Sequence, residues 1–107
     1  MKNALRLVEE NMENPEFSVN NLCDDLGMSR SQLYRKFESI TGLTPNDFIR
    51  SVRLKRAAQL LRGSSYNISE ISDRVGFNSI KYFNKYFKEE FGFTPTQYRS
   101  NGSGEIK

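Results

Sequence analysis

Histidine and tryptophan are absent from the 107 residues, and cysteine occurs once, as Cys23. Without histidine there is no base for a serine or cysteine triad and no imidazole for a metal cluster. With one thiol there is no intrachain disulfide. No apolar run approaches the ~20 residues that a membrane helix needs, and the N-terminus lacks the apolar stretch of a signal peptide. No segment alternates apolar and polar residues as a half-buried strand would. These absences leave a reduced, cytoplasmic, all-α domain without membrane contact, for which no catalytic, cofactor or metal site is expected. At this length the chain builds one domain, or two very small units that share an element.

Hydrophobic residues are only 36% of the chain, but eight Phe and five Tyr bury much area per residue, so a modest core is within reach. The formal net charge of +3 conceals a segregation. Residues 1–29 carry net −4, residues 30–62 net +6 and the remainder net +1. A positive middle on a small domain suits a polyanion partner, although a solvated helix face would read the same way.

Capping residues followed by apolar positions three and four apart recur along the chain. Leu5, Val8 and Met12 form one face of an opening helix. Ser18 starts a short helix with Val19, Leu22, Cys23 and Leu26 inward, and Gly27 ends it. Ser29 and Gln32 make a capping box for a helix to about residue 39, with Leu33, Phe37 and Ile40 as its apolar stripe. Thr44-Pro45-Asn46-Asp47 opens a longer helix over 45–61, Thr capping, Pro at the first position and Asp returning a hydrogen bond. Its 17 residues span ~26 Å, with Phe48, Val52, Ala57, Ala58 and Leu61 buried.

The pattern then returns. Asn67 and Glu70 pair as a cap, Ile68, Ile71 and Val75 face inward, and Gly76 terminates. A second longer helix over 79–90 carries Phe83, Phe87 and Phe91, and Gly92-Phe93-Thr94-Pro95 repeats Gly42-Leu43-Thr44-Pro45. The equivalences run at 49 residues up to Gly76 and at 50 beyond it, so one residue has been added in the turn near Phe77 to Ile80. Two copies are too few for a solenoid. The expected divisions are a first unit at 1–44, a linker helix at 45–62, a second unit at 63–100 and a disordered tail at 101–107.

Short helix, Gly turn, longer helix is the helix-turn-helix pattern. In each copy the longer helix presents polar residues opposite its apolar stripe: Ser31, Tyr34, Arg35 and Glu38 in the first, and Ile80 or Lys81, Asn84, Lys85 and Lys88 in the second. Such a face can enter a major groove, where Arg and Lys donate to guanine and Asn pairs with adenine. Ile80 needs a reason to be exposed at a helix start, and a thymine methyl supplies one. The helix starts at Ser18, Thr44, Asn67 and Thr94 can place backbone N–H groups on phosphates. Arg50, Arg53, Lys55 and Arg56 are electrostatic candidates, some of which must instead cover the linker helix with their stems.

The stretch from Ser18 to Arg99 resembles the DNA-binding domain of the AraC/XylS family of bacterial transcription regulators. The resemblance lies in Arg53-Leu-Lys-Arg-Ala-Ala-Gln-Leu-Leu61, Ile68-Ser-Glu-Ile-Ser-Asp-Arg-Val-Gly-Phe77, Tyr82-Phe-Asn-Lys-Tyr-Phe-Lys88 and Gly92-Phe-Thr-Pro-Thr-Gln-Tyr-Arg99. It implies seven helices, two helix-turn-helix units and a linking fourth helix. It also implies base contacts from Ser31, Tyr34 and Arg35 in the first unit and from Ile80, Lys81, Asn84 and Lys85 in the second. Ser29, Arg30, Thr44, Arg50, Asn67, Lys88 and Thr94 are the expected contacts to the DNA backbone. Residues 9–17 resemble the segment leading into output domains of hybrid two-component regulators.

The expected partner is double-stranded promoter DNA, with RNA polymerase or a second regulator copy as further partners. A helical protein-interaction adaptor and a small enzyme are the rivals from other classes. The adaptor would bind independently of salt. The enzyme would need converging carboxylates and lysines. For DNA, log affinity should fall against log salt with a slope of ~0.9 per phosphate contacted. A salt titration that leaves duplex affinity unchanged would remove the DNA reading.

Overall fold

Local hydrogen bonds between residues three apart set most of the helix starts. Ser29 Oγ accepts from the N–H of Gln32 at 3.2 Å while Gln32 Oε1 accepts from the N–H of Ser29 at 2.9 Å. Asn67 and Glu70 do the same at 2.8 and 2.9 Å, as do Thr94 and Gln97 at 3.2 and 3.0 Å. Each pair satisfies donors that a helix end would otherwise leave without partners. At Thr44 only half of the expected box forms. Its hydroxyl accepts from the N–H of Asp47 at 3.1 Å, but the Asp47 carboxylate turns to Arg50 at 2.7 Å instead of returning to Thr44. Aspartate is one methylene shorter than the glutamine that completes the equivalent box at Thr94, and a guanidinium one turn along offers a charged donor.

The computed structural model describes residues 2–102. Among these it is entirely helical: α1 (Lys2–Glu10), α2 (Val19–Leu26), α3 (Arg30–Thr41), α4 (Pro45–Gly63), α5 (Ile68–Arg74), α6 (Ile80–Phe91) and α7 (Pro95–Gly102). The linking helix α4 has 19 residues, two more than its sequence pattern predicts, and so is about 28 Å long. It continues to Gly63 because Ser64 closes it, the Ser64 N–H donating to Leu60 O at 3.0 Å and its hydroxyl to the same carbonyl at 2.7 Å. Of the expected tail, residues 101 and 102 belong to α7; the remainder lies outside the described residues.

Two apolar clusters share α4. The first gathers Ala4, Val8, Phe17, Val19, Leu22, Cys23, Leu33 and Phe37 around Ile49. The second gathers Ile71, Val75, Phe83 and Phe87 around Leu54, Ala57, Ala58 and Leu61. Inside the second, rings follow one another from Phe77 to Phe83 (5.3 Å between centroids), Phe87 (5.8 Å) and Tyr98 (5.3 Å), which ties α6 to α7. The α1, α2 and α3 helices pack on one another and on α4; α5, α6 and α7 do likewise at its other end.

Some apolar positions differ from the expected stripes. Leu5 is 40% exposed because Ala4 and Val8 take the inward line of α1, and Leu5 lies ~100° round from Ala4. Ile40 is 55% exposed, sitting in the last turn of α3 beyond the layer where Phe37 meets Phe48 edge-on at 5.0 Å. On α4, Ile49 and Leu54 are buried while Phe48 and Val52 are only half-buried. Replacing the fully buried Phe87 with Ala should lower stability by about 3–5 kcal/mol in urea denaturation.

Candidate nucleic-acid interface

The two longer helices of the repeat, α3 and α6, each bury one stripe and expose the other. On α3, Leu33 and Phe37 are buried while Ser31, Arg35 and Glu38 are exposed. On α6, Phe83 and Phe87 are buried while Ile80, Lys81, Asn84, Lys85 and Lys88 are exposed. The side chains of Ser31, Arg35, Lys81 and Asn84 make no hydrogen bond or ion pair with other described residues, so their polar groups are open to an outside partner. Ile80 is 45% exposed at the first position of α6.

Tyr34 stands apart from this group. It is half-buried against the first cluster, with the Arg30 guanidinium 5.6 Å from its ring centre. Arg30 also donates to Asn20 Oδ1 at 2.7 Å, which fastens the start of α3 to α2. Arg30 Nη2 also donates to the Tyr34 hydroxyl at 3.5 Å, so chiefly the ring edge of Tyr34 remains for an outside contact. In the second unit Lys85 lies 5.4 Å from the ring centre of Tyr86, and the exposed Tyr82 is beside that ring at 6.5 Å.

Among the expected backbone contacts, Ser29, Thr44, Asn67 and Thr94 are all helix caps whose side chains are already occupied by their own helices. What they leave for a phosphate is the first-turn backbone N–H groups that the caps do not use, which in α4 and α7 begin at residues 46 and 96 because Pro45 and Pro95 have no N–H. Lys88 is exposed on α6. Arg50 is held on two sides, by Asp47 and by the face of Tyr86 at 4.2 Å. The stacking anchors α6 to α4, and the Asp47 carboxylate partly neutralises the charge that a phosphate would otherwise meet.

Arg53, an electrostatic candidate by sequence, is corrected by the structure. It is 5% exposed, and its guanidinium donates to backbone carbonyls instead of facing solvent. Burial lowers its pKa from the ordinary arginine value through loss of hydration. Lys55 and Arg56 remain exposed on α4, Arg56 donating to Gln59 Oε1 at 3.0 Å. Arg99, which the sequence did not mark as a structural contact, donates to Leu61 O at 3.1 Å and Ser64 O at 3.2 Å. It thereby caps the negative end of α4 from α7. No local pattern announces either arginine, since their acceptors are backbone atoms more than twenty residues away.

Residues 22–101 match the family model described as "Helix-turn-helix domain", and the solved structures of the same shape include AraC-type DNA-binding domains. The chain belongs to the AraC-type helix-turn-helix family. This AraC-type domain is similar to the DNA-binding domain of AdpA solved in complex with a target DNA. The TM-score is 0.85 at 29% identity, covering 92% of this chain and 88% of that one. It is also similar to the C-terminal domain of AraT, a response regulator from Geobacillus stearothermophilus, at TM-score 0.86 and 25% identity over 99% and 86% of the two chains.

In sequence it is 48% identical over 106 residues to a protein of Formosa agariphila named "Histidine kinase P4", covering 99% of this chain and 8% of that protein. It is 35% identical over 98 residues to the HTH-type transcriptional regulator MtrA of Neisseria gonorrhoeae, covering 90% and 33%. The chain thus spans a small part of these curated relatives. It is an AraC-type DNA-binding domain of the transcription-regulator class. No helix among the described residues is long and apolar enough to cross a membrane.

Because Arg35 and Asn84 are exposed and have no hydrogen-bond or ion-pair partner among the described residues, Arg35→Ala and Asn84→Ala should each change stability by less than about 0.5 kcal/mol. Thermal denaturation of the two variants beside the wild type checks this. A larger loss would mean that any binding defect they show is not a direct one.

Proposed function

We propose that the domain reads a bipartite site on double-stranded promoter DNA, α3 in one major groove and α6 in the next, as the output module of a bacterial two-component regulator. The observation that carries this reading is that two equivalent helices, each with an open polar face, pack at opposite ends of one continuous connector helix. The connector's length of about 28 Å, together with the width of the flanking units, suits helices set one DNA turn apart, ~34 Å. The described residues extend 43 Å in the longest direction, which supports the same spacing.

Ser31 and Arg35, with the edge of Tyr34, are the base readers of the first unit. Ile80, Lys81, Asn84 and Lys85 are those of the second, Ile80 placing its branched chain against a thymine methyl. Lys88 and the backbone N–H groups beside the caps Ser29, Thr44, Asn67 and Thr94 hold the phosphates and fix the register, with Arg30 and Arg50 adding the charge that their internal contacts leave. The chain divides functionally into a first unit at 1–44, a connector at 45–62 and a second unit at 63–100. The two-component assignment is supported by the response-regulator and histidine-kinase names among the relatives.

The module acts in the cytoplasm and performs no chemistry, so it requires no cofactor or metal. It contacts RNA polymerase or a second regulator copy through a face left free by the DNA. A broad hollow between α1 and α4 holds Glu9, Glu10 and Glu13 on one side and Lys55, Arg56 and Arg74 on the other. No hydrogen bond or ion pair joins those carboxylates to those cations, and Arg74 is stacked on Tyr66 at 4.0 Å.

Duplex titration tests the reading. On the preferred site Arg35→Ala should cost about 1–3 kcal/mol and relax preference at one or two base pairs. Inserting five base pairs between the subsites rotates one by about half a turn. On that duplex Asn84→Ala and Lys85→Ala should become silent while Arg35→Ala still weakens binding. If the insertion changes nothing and the second-unit variants are silent on the native site as well, only the first unit reads DNA.

A further inference from the structure

The two helix-turn-helix units meet each other little and each packs chiefly on α4, with Met12 from the corner after α1 lying against the second cluster. Their relative orientation therefore depends on how α4 is held and on whatever crosses between them. Below the crossing lies a shallow hollow lined by Phe17, Ser18, Asn46, Arg50 and Phe77 among others, so apolar packing does not close the seam on that side.

One side chain bridges it with hydrogen bonds to both units. Arg53 Nη1 donates to Met12 O at 3.0 Å and to Val75 O at 2.8 Å, and Nη2 donates to Asn14 O at 2.9 Å. Met12 and Asn14 belong to the corner between α1 and α2. Val75 belongs to the turn between α5 and α6. No carboxylate is paired with this guanidinium among the described residues, so its charge is met by carbonyl dipoles from both units at once. A planar fork can address acceptors in several directions, whereas an ammonium is a single point on a different stem.

A second observation supports the bridge independently. Gly27 and Gly76 occupy the same place in the two repeats and both have positive φ, 68° and 82°. A Cβ on Gly27 would meet nothing within 4 Å. On Gly76 it would fall on Nη1 of Arg53 and against the Met12 carbonyl oxygen. The conformation alone accounts for glycine at the first turn. The second turn also needs the space through which the guanidinium passes.

We propose that Arg53 is a positioning residue: by holding carbonyls of both units it sets the distance and rotation between α3 and α6, and hence the subsite spacing that the domain accepts. The proposal deepens the bipartite reading given above and rests on it. Arg53 itself, buried between the units, touches no DNA.

The test has one arm without DNA and one with it. Spin labels are placed at the exposed, equivalent positions Ser39→Cys and Glu89→Cys in a Cys23→Ala background, and the distance distribution between them is measured. The full chain should give a single narrow distribution. Arg53→Lys and Gly76→Ala should broaden it about twofold or more, while Gly27→Ala, which carries the same backbone strain, should leave its width unchanged. Circular dichroism selects the variants that remain helical, and Gly76→Ala beside Gly27→Ala decides the matter if Arg53→Lys does not fold, equal widths for the two overturning the proposal. A broad wild-type distribution, or an Arg53→Lys distribution as narrow as wild type, would overturn the proposal.

In the second arm, wild type should prefer the native duplex to the duplex with five added base pairs by about tenfold or more, as expected of two linked sites. Arg53→Lys should reduce that preference to about threefold or less. Unchanged preference would sink the positioning role even if the labels respond. If Asn84→Ala and Lys85→Ala are silent on the native site in the wild-type background, the bipartite reading fails and the spacing role falls with it; a label response would then identify Arg53 as structural only.

Discussion

A helix-turn-helix of two short helices leaves an apolar side uncovered, and here one helix closes that side for both copies. The α4 helix presents Ile49 to the first cluster and Leu54, Ala57, Ala58 and Leu61 to the second. The small side chains at 57 and 58 let the second unit approach the helix axis closely. Everything that positions α3 and α6 passes through this shared element. Its ends are correspondingly well fastened, by Pro45 and the Thr44 cap at the start and by the Arg99 contacts to Leu61 O and Ser64 O at the finish.

The repeat is conservative in its caps and divergent in its surfaces. Gly27 to Ser29 and Gly76 to Ser79 perform the same turn, the second with one more residue, whose neighbour Phe77 packs edge-on against Phe83. The added residue goes where it disturbs no helix register. The exposed faces, by contrast, share little: Ser31 and Arg35 in one unit correspond to Lys81 and Lys85 in the other. The common scaffold thus carries two chemically different exposed faces, and under the proposed reading these suit an asymmetric site better than two identical half-sites.

The positive middle of the sequence is not one surface. Of its arginines, Arg53 is consumed by the seam, Arg50 by Asp47 and Tyr86, and Arg30 by Asn20 and Tyr34. Lys55 and Arg56 face the hollow beside α1, across from its glutamates. The charge left open on the polar face of α3 is chiefly Arg35. Steering by net charge and recognition by particular side chains are therefore separate properties of this domain.

Much of the fold was legible because it is written in contacts three or four residues long. The capping pairs Ser29–Gln32 and Asn67–Glu70, the Pro45 start and the turn glycines all specify local geometry through neighbours in the chain. The 49-to-50 shift in the repeat located the longer turn for the same reason. The candidate readers followed from helical periodicity once the buried phenylalanines were assigned.

The sequence by itself thus determined seven helices, their order, and which faces of α3 and α6 are polar. Only the tertiary structure decided that Ile40 and Leu5 stay exposed, that Tyr34 is half withdrawn, and that Arg53 is buried with carbonyls 22 and 41 residues away. Periodicity is blurred on α4 because neighbours surround it on several sides, so no single stripe marks its buried positions. The destination of an arginine that bonds backbone carbonyls depends on where distant turns arrive, and any residue type in those turns would offer the same acceptor.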